Sequence, residues 1–578
     1  MIGHRKEWTA MARLIPFLQE PGRAWILVLA VTLAASLAGV FTLPVLDRDE
    51  ARFAQATAQM MESGDLVRIR FLDEDRHKKP VGIHWTQLLT VTAGEAVSGA
   101  LTDRQIWAWR LASTLGAVLA ALGAMALANR LLGPPAGLYA GVLLGASVLL
   151  GVESGIAKTD AMLAGITVWA LYALARLHEA DNRTGARVWA VWLWALIALG
   201  ALVKGPVTPM AAGLAVTTLV IWERRMNWLR PLAFWPGPLL AAIILLPWLV
   251  SVQIATDGGF LREMLGEDVG PKLVSGHESH GGPPGYHLLA LPALLFPATL
   301  FLPAGLRAAI TAIRGATPPL ARPARLLAVM SLPFWLAFEM LPTKLPHYVL
   351  PAYPALAIFA AWGLLQWRST PALWRWLGAG LMMAAGLFLA AVIFLPATRF
   401  GGQSVLAGAL AAGFLAAVSA AVILSALHRE RAAVMCALLA SLAWHAAARG
   451  VIIPATDLFP SREAAALIQA EGWMTPDVTI RSSYTEPSLA FALRSDIMLM
   501  DFPALAAASV DLASEQLLVI DLSRVAANAP EAAFLDTLRA GACALDEIEG
   551  FNYSRGRATS LLIARTGDCA AIQEPDTP

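Results

Sequence analysis

Charge is scarce in this chain. Asp, Glu, Lys and Arg supply 15% of its 578 residues, against about 25% in ordinary soluble domains. A soluble protein of this length would be several domains with polar surfaces, and the composition excludes that. Cysteine is scarce too, with three residues. Cys436 falls in an apolar run, whereas Cys543 and Cys569 share the polar tail, where an oxidising compartment favours a disulfide between them. The chain has no Walker loop, dinucleotide fingerprint, zinc-protease helix, internal repeat or low-complexity tract. Its net charge of +1 says nothing about partners, and no nucleic acid is expected among them.

What the chain has in abundance is apolar sequence, 57% of the residues. It recurs in stretches of roughly the 20 residues that cross a bilayer core. Spans are expected near 25–46, 108–127, 134–153, 161–177, 188–203, 206–222, 232–251, 286–306, 326–342, 347–366, 373–396, 404–427 and 432–452. The first follows a basic start (Arg5, Lys6, Arg13, Arg23) and is too long for a signal-peptide core, which makes it a retained anchor. Alternate loops are basic, as at Arg183 and Arg187, Arg224, Arg225 and Arg230, and Arg429 and Arg431. By the positive-inside rule these face the cytoplasm, with the N-terminus. The fold class expected is a polytopic α-helical membrane protein of about thirteen transmembrane helices. It divides into residues 1–455, with outer loops 47–106 and 252–285, and a small soluble α/β domain over 456–578 on the periplasmic face. That tail carries helix-like "SREAAALIQAEG" and strand-like "LLVIDL" and "SLLIAR".

The few charges are not scattered. "LDRDEARFA" packs five into nine residues immediately after the first apolar stretch. In the topology above, Asp49, Glu50 and Arg52, then Lys78 and Lys79, Lys158 and Asp160, Lys204, Lys272, His277, Glu278 and His280, and Lys344, His347 and Tyr348 all lie towards the outer face. Ionisable residues near membrane depth are costly and mark functional sites by default. Each has a plainer reading. "DRDEARFAQATAQMMESGD" suits a solvated amphipathic helix on the interface, and Lys158 and Lys204 suit snorkelling at span ends. "SGHESHGG" suits a hydrogen-bonded turn as well as a metal site on His277, Glu278 and His280. Their coincidence on one face favours a cleft in which lysines hold an anionic head group and a carboxylate is reserved for chemistry.

"RDEARFAQATAQMMESGDL", "HKKPVGIHW", "KTDAML", "KGP" and "KLPHYVLPAYPALA" together resemble the bacterial aminoarabinose transferase (ArnT-like) family. That family is related to the protein O-mannosyltransferases and has the GT-C fold. The resemblance implies a glycosyltransferase whose donor is a sugar on a polyprenyl phosphate, typically undecaprenyl phosphate, and whose acceptor is a lipid A-type lipid or another envelope glycan. Donor, acceptor and membrane lipids are then the partners, and the bacterial inner membrane is the location. By the same resemblance Asp49 falls on the family's catalytic-site aspartate, Lys79 on the lysine that contacts the lipid phosphate, and Asp160 and Lys204 on further cavity residues; Asp49, Glu50 and Asp160 are the catalytic group expected here. Arg52, Lys79 and Lys204 bind the donor phosphate, and Lys158, Lys272, Lys344, His347 and Tyr348 are further substrate-binding candidates. The family commonly has an acidic residue where this chain has Lys78, which removes a ligand from any metal site built there. No cofactor follows from the sequence, and a divalent metal stays open.

Such an enzyme stabilises negative charge on the departing phosphate with Lys79, Lys204 and Arg52. It uses Asp49 as general base for a hydroxyl acceptor or to orient an anionic one, and single displacement inverts the anomeric centre. The alternative is a transporter or flippase of a lipid-linked sugar, which tends to carry polar sites and broken helices near the bilayer midplane. No paired interruption of the spans is read in this sequence.

Overall fold

The apolar runs become helices that pack through small residues. The computed structural model describes residues 22–99, 104–180, 182–269, 281–316, 318–400, 402–509, 511–525 and 529–567. Among these, eight helices are long and apolar enough to cross a membrane: Trp107–Leu132, Asp160–His178, Arg183–Lys204, Pro236–Ala255, Pro346–Leu365, Ala372–Arg399, Ser404–Ala426 and Glu430–Ile452. Ala24–Leu37 and Val207–Glu223 are shorter apolar helices. Helix Trp107–Leu132 crosses Asp160–His178 at Gly116 and Gly165; a Cβ on Gly116 would lie 2.3 Å from the Met162 nitrogen. Backbones can approach this closely only at such small residues, and the crossing fixes Asp160 at the start of its helix.

Two apolar segments are interrupted, contrary to the sequence expectation. Pro134–Gly145 and Val148–Ser154 meet at 58°, the break falling at Ala146-Ser147. The stretch expected as a span over 286–306 divides into Tyr286–Leu294, a short 3-10 turn Ala298–Leu300 and helix Leu302–Thr311. Pro292 in the first piece and Pro297 just after it each remove a backbone donor.

The "DEARFAQATAQMMES" segment forms helix Asp49–Ser63, closed by a left-handed Gly64 at φ 70°. It is not the solvated interfacial helix that its charge pattern allowed. Ala51, Phe53, Ala54, Gln55, Ala56, Thr57, Ala58 and Met60 are all buried. Helix Gly82–Ser98 packs beside it, pressed so tightly on Arg183–Lys204 that a Cβ on Gly82 would meet the Leu202 carbonyl at 2.7 Å. A two-stranded hairpin, β1 (Arg70–Phe71) with β2 (Glu74–Asp75), lies between these two helices in sequence.

The tail forms a mixed five-stranded sheet from β3 (Thr479–Ser482), β4 (Met498–Leu499), β5 (Gln516–Asp521), β6 (Ala544–Asn552) and β7 (Arg557–Thr566), in the order β4-β3-β5-β7-β6. β5 is buried along its whole length, which is why its centre, "LLVI", reads as an unbroken apolar run. Cys543 is disulfide-bonded and Cys436 is free; Cys569, the expected partner of Cys543, lies outside the described residues. This sheet unit is fastened to helix Asp49–Ser63 and to the start of helix Trp107–Leu132. Arg104 donates to the Ala490 and Phe491 carbonyls at 3.2 and 2.9 Å and to Ser495 Oγ at 2.7 Å. Gln55 Nε2 donates to Ser495 Oγ at 2.8 Å, and Trp109 meets Phe491 edge-on at 5.3 Å.

Candidate active site

Two adjacent carboxylates in "RDE" part company at the start of their helix. Arg48 adopts φ 64°, a left-handed conformation uncommon outside glycine, and the chain then turns into helix Asp49–Ser63 with both acids in its first turn. Glu50 points inward and is fully buried with Arg110. Its carboxylate accepts from Arg110 Nε and Nη2 at 2.8 Å each, from the Leu46 amide at 2.8 Å and from the Ala157 amide at 2.7 Å. With its lone pairs spent on this network, Glu50 is a structural residue, which corrects its expected place in the catalytic group. Asp49 points the other way, into a cavity of about 380 Å³.

Sequence-distant segments converge on that cavity. Arg48, Asp49 and Arg52 come from the helix start, Arg76, Lys78 and Lys79 from the loop before helix Gly82–Ser98, and Lys158 and Asp160 from the "KTD" turn. Lys204 arrives from "KGP", and His347 and Tyr348 from "KLPHY". The lining also includes the apolar Leu163, Val207, Met210, Phe338, Leu341 and Leu345. The cavity is therefore amphipathic. Seven cations line it against the carboxyl groups of Asp47, Asp49 and Asp160, a surplus suited to a phosphate.

Inside, the charges are organised. Lys204 Nζ is ion-paired with Asp160 and lies 5.7 Å from the Tyr348 ring centroid. Lys158 Nζ lies 2.9 Å from Glu153 Oε2, 3.9 Å from Asp160 Oδ2 and 3.4 Å from His347 Nδ1. Burial opposes the Lys158 charge, but Glu153 and Asp160 outweigh it and raise its pKa. Burial likewise works against the Asp49 carboxylate, and Arg76, Lys158 and His347 outweigh it to hold its pKa below the ordinary value. Asp49 is therefore anionic at neutral pH. Arg76 is placed over the Phe53 ring at 4.8 Å.

Two residues upstream of Asp49, Asp47 joins the cavity to the sheet unit. Its amide donates to Tyr553 Oη at 2.6 Å and its Oδ1 accepts from the Ser488 amide at 3.2 Å. Burial pushes its pKa up to about 6, with Glu486 adding to the effect.

Eight of the expected site residues thus meet: Asp49, Arg52, Lys79, Lys158, Asp160, Lys204, His347 and Tyr348, with Lys78 beside them. Lys344 does not, and its expected substrate-binding role is corrected. Its ammonium donates to the carbonyls of Phe338, Glu339 and Leu341, where it caps the C-terminal end of helix Pro318–Met340. Lys272, His277, Glu278 and His280 lie outside the described residues. Sequence reasoning missed Glu153 and Arg110. The available signal was an ionisable residue inside an apolar window.

Comparison with known proteins bears on this geometry. Residues 89–250 match the family described as dolichyl-phosphate-mannose-protein mannosyltransferase. The undecaprenyl phosphate-α-4-amino-4-deoxy-L-arabinose arabinosyl transferase of Pseudomonas aeruginosa is 29% identical over 324 residues, 55% of each chain. Its counterpart from Edwardsiella ictaluri is 28% identical over 344 residues, 56% of this chain and 59% of that one. The chain thus spans about half the length of the curated relatives it matches. The crystal structure of ArnT from Cupriavidus metallidurans bound to undecaprenyl phosphate superposes with a TM-score of 0.75 at 21% identity, over 95% of this chain and 99% of that one. The chain has an ArnT-like fold. The ArnT-like resemblance read from the motifs is borne out, and the likeness in fold reaches well beyond the aligned sequence. An oligosaccharyltransferase from Archaeoglobus fulgidus is a more distant likeness, with a TM-score of 0.52 at 12% identity over 93% of the ArnT-like chain and 73% of its own.

Proposed function

We propose that this ArnT-like chain is an inverting glycosyltransferase that moves a sugar from a polyprenyl phosphate, undecaprenyl phosphate in the simplest case, to a lipid A-type or other envelope acceptor. The observation that carries the reading is the amphipathic cavity, which combines apolar side chains for a prenyl chain with a surplus of cations and the Asp49 carboxylate. The donor phosphate would lie against Lys79, Arg52 and Lys204. As the bond to the anomeric carbon breaks, these fixed cations stabilise the charge that develops on the leaving oxygen. A depressed pKa makes Asp49 a weak proton acceptor but a permanent anion. It therefore acts mainly on the positive charge that builds at the sugar and on the orientation of the acceptor, and takes up a proton from a hydroxyl acceptor only late in bond formation.

The same reading puts about thirteen spans in residues 1–455, the N-terminus in the cytoplasm, and the cavity and the sheet unit of 456–578 on the periplasmic side of a bacterial inner membrane. The basic loops between alternate spans support this orientation. Purified protein incubated with an undecaprenyl-phosphate-linked sugar and an acceptor lipid should release undecaprenyl phosphate. Movement of intact donor between leaflets with no release would mark a flippase instead.

A further inference from the structure

Glu153, Asp160 and His347 are buried, and one ligand atom from each lies within 4.8 Å of the others, the arrangement of a divalent-metal site. They come from three separate elements: the second half of the broken helix, the first residue of Asp160–His178, and the 3-10 turn Pro346–Ala352. Three protein ligands beside an open cavity is the pattern of a catalytic metal centre. In this chain one further group sits against all three, the Lys158 ammonium, at 2.9 Å from Glu153, 3.4 Å from His347 and 3.9 Å from Asp160. We propose that Lys158 is a tethered cation that takes the place of a divalent metal ion in the cage of Glu153, Asp160 and His347.

The charge balance supports this. Lys158 pairs with Glu153, and Lys204 pairs with Asp160, so two lysines already balance the two carboxylates. A divalent ion added on top would leave two uncompensated positive charges in a largely buried group, which is unfavourable. The ammonium is a compact point charge, and its backbone is pinned where it is needed. Ser113 Oγ donates to the Lys158 carbonyl at 2.9 Å, and the Lys158 amide donates to the Ile156 carbonyl at 2.8 Å. Lys158 also sits among the charges that act on Asp49. Against Glu153, Asp160 and His347 it supplies the positive charge that a bound metal would otherwise bring, without depending on metal supply. Lys158 is a positioning residue here, acting on the reaction through Asp49 and Asp160.

The test reads metal binding directly, and only its rate arm rests on the glycosyltransferase reading. Full-length wild-type protein in detergent, equilibrated with Mn2+ or Zn2+ and desalted, should retain no stoichiometric metal, and chelator should leave its transfer rate unchanged. Lys158→Ala, which empties the cage, should retain about one ion per chain and gain thermal stability with added Mn2+. Lys158→Met, which fills the space without charge, should bind none. Lys158→Ala with His347→Ala should also bind none. In the rate arm, both single variants should transfer slowly, and Mn2+ should rescue only Lys158→Ala. Stoichiometric metal in the wild type that Asp160→Asn removes, loss of wild-type transfer on chelation, or a folded Lys158→Ala that takes up no metal would each overturn the proposal. If no variant transfers sugar while the metal results hold, the reading of the reaction fails and the cage stands.

Discussion

The molecule buries two charge clusters, one on Glu50 and Arg110 and one around Lys158 and Asp160, and they behave oppositely. The Glu50–Arg110 pair is closed. Both side chains are fully buried, and Arg110 also donates to the carbonyls of Val40, Leu43 and Pro44 at 3.0, 2.7 and 2.8 Å. The cluster of Lys158, Asp160, Lys204 and His347 is open on one side, to a cavity with a surplus of cations. Charge at membrane depth thus has two uses, and an open face separates the functional use from the structural one.

The comparison breaks most sharply at the closed pair. Arg110→Ala leaves the Glu50 carboxylate buried without its counter-ion, which costs about 3–5 kcal/mol, so folded yield should collapse in fluorescence-detected size exclusion. Glu50→Gln should fold poorly, and whatever folds should keep its turnover. In the open cluster the order reverses. Lys79→Ala should fold normally, weaken donor binding and slow transfer by roughly tenfold or more, because a phosphate contact acts in ground and transition states alike. Donor titration with single-turnover kinetics separates the two effects.

The contrast between Glu50 and Asp49 also marks the limit of sequence reading. Charge density in "LDRDEARFA" and the lysine-bearing turns at the ends of the apolar spans pointed to the residues that line the cavity. Pattern alone assigned both acids to chemistry, because the backbone turn at Arg48 that points them apart depends on tertiary contacts with Arg110 and Ala157. Glu153 was hidden in an apolar run, and it meets Lys158 from the short helix that follows the break at Ala146-Ser147. Lys344 reads like any phosphate-binding lysine at a span end, yet helix-end carbonyls consume its donors.

A smaller effect sharpens the link between cavity and sheet unit. With its pKa raised from 3.8 to about 6, Asp47 favours the folded state when protonated. Its contribution is complete below about pH 3.8 and is lost as pH rises through about 6. The thermal midpoint should therefore fall between pH 5 and 7.5, and Asp47→Asn should flatten that fall, a difference of about 1.4 kcal/mol. The smallest effect expected is that of Lys344→Ala. Loss of a helix-end cap costs about 1 kcal/mol of stability, and transfer should stay within about twofold of wild type.

The most direct test of the central claim is single-turnover sugar transfer by wild type and Asp49→Asn, on matched folded preparations, across pH 4.5 to 8. The account predicts that the wild-type rate shows no loss of the Asp49 carboxylate over this range, because its pKa is held below the ordinary 3.8. It also predicts that Asp49→Asn binds the donor yet transfers at least about a hundredfold more slowly at every pH. Near-normal transfer by Asp49→Asn would contradict the account and place the chemistry elsewhere in the molecule.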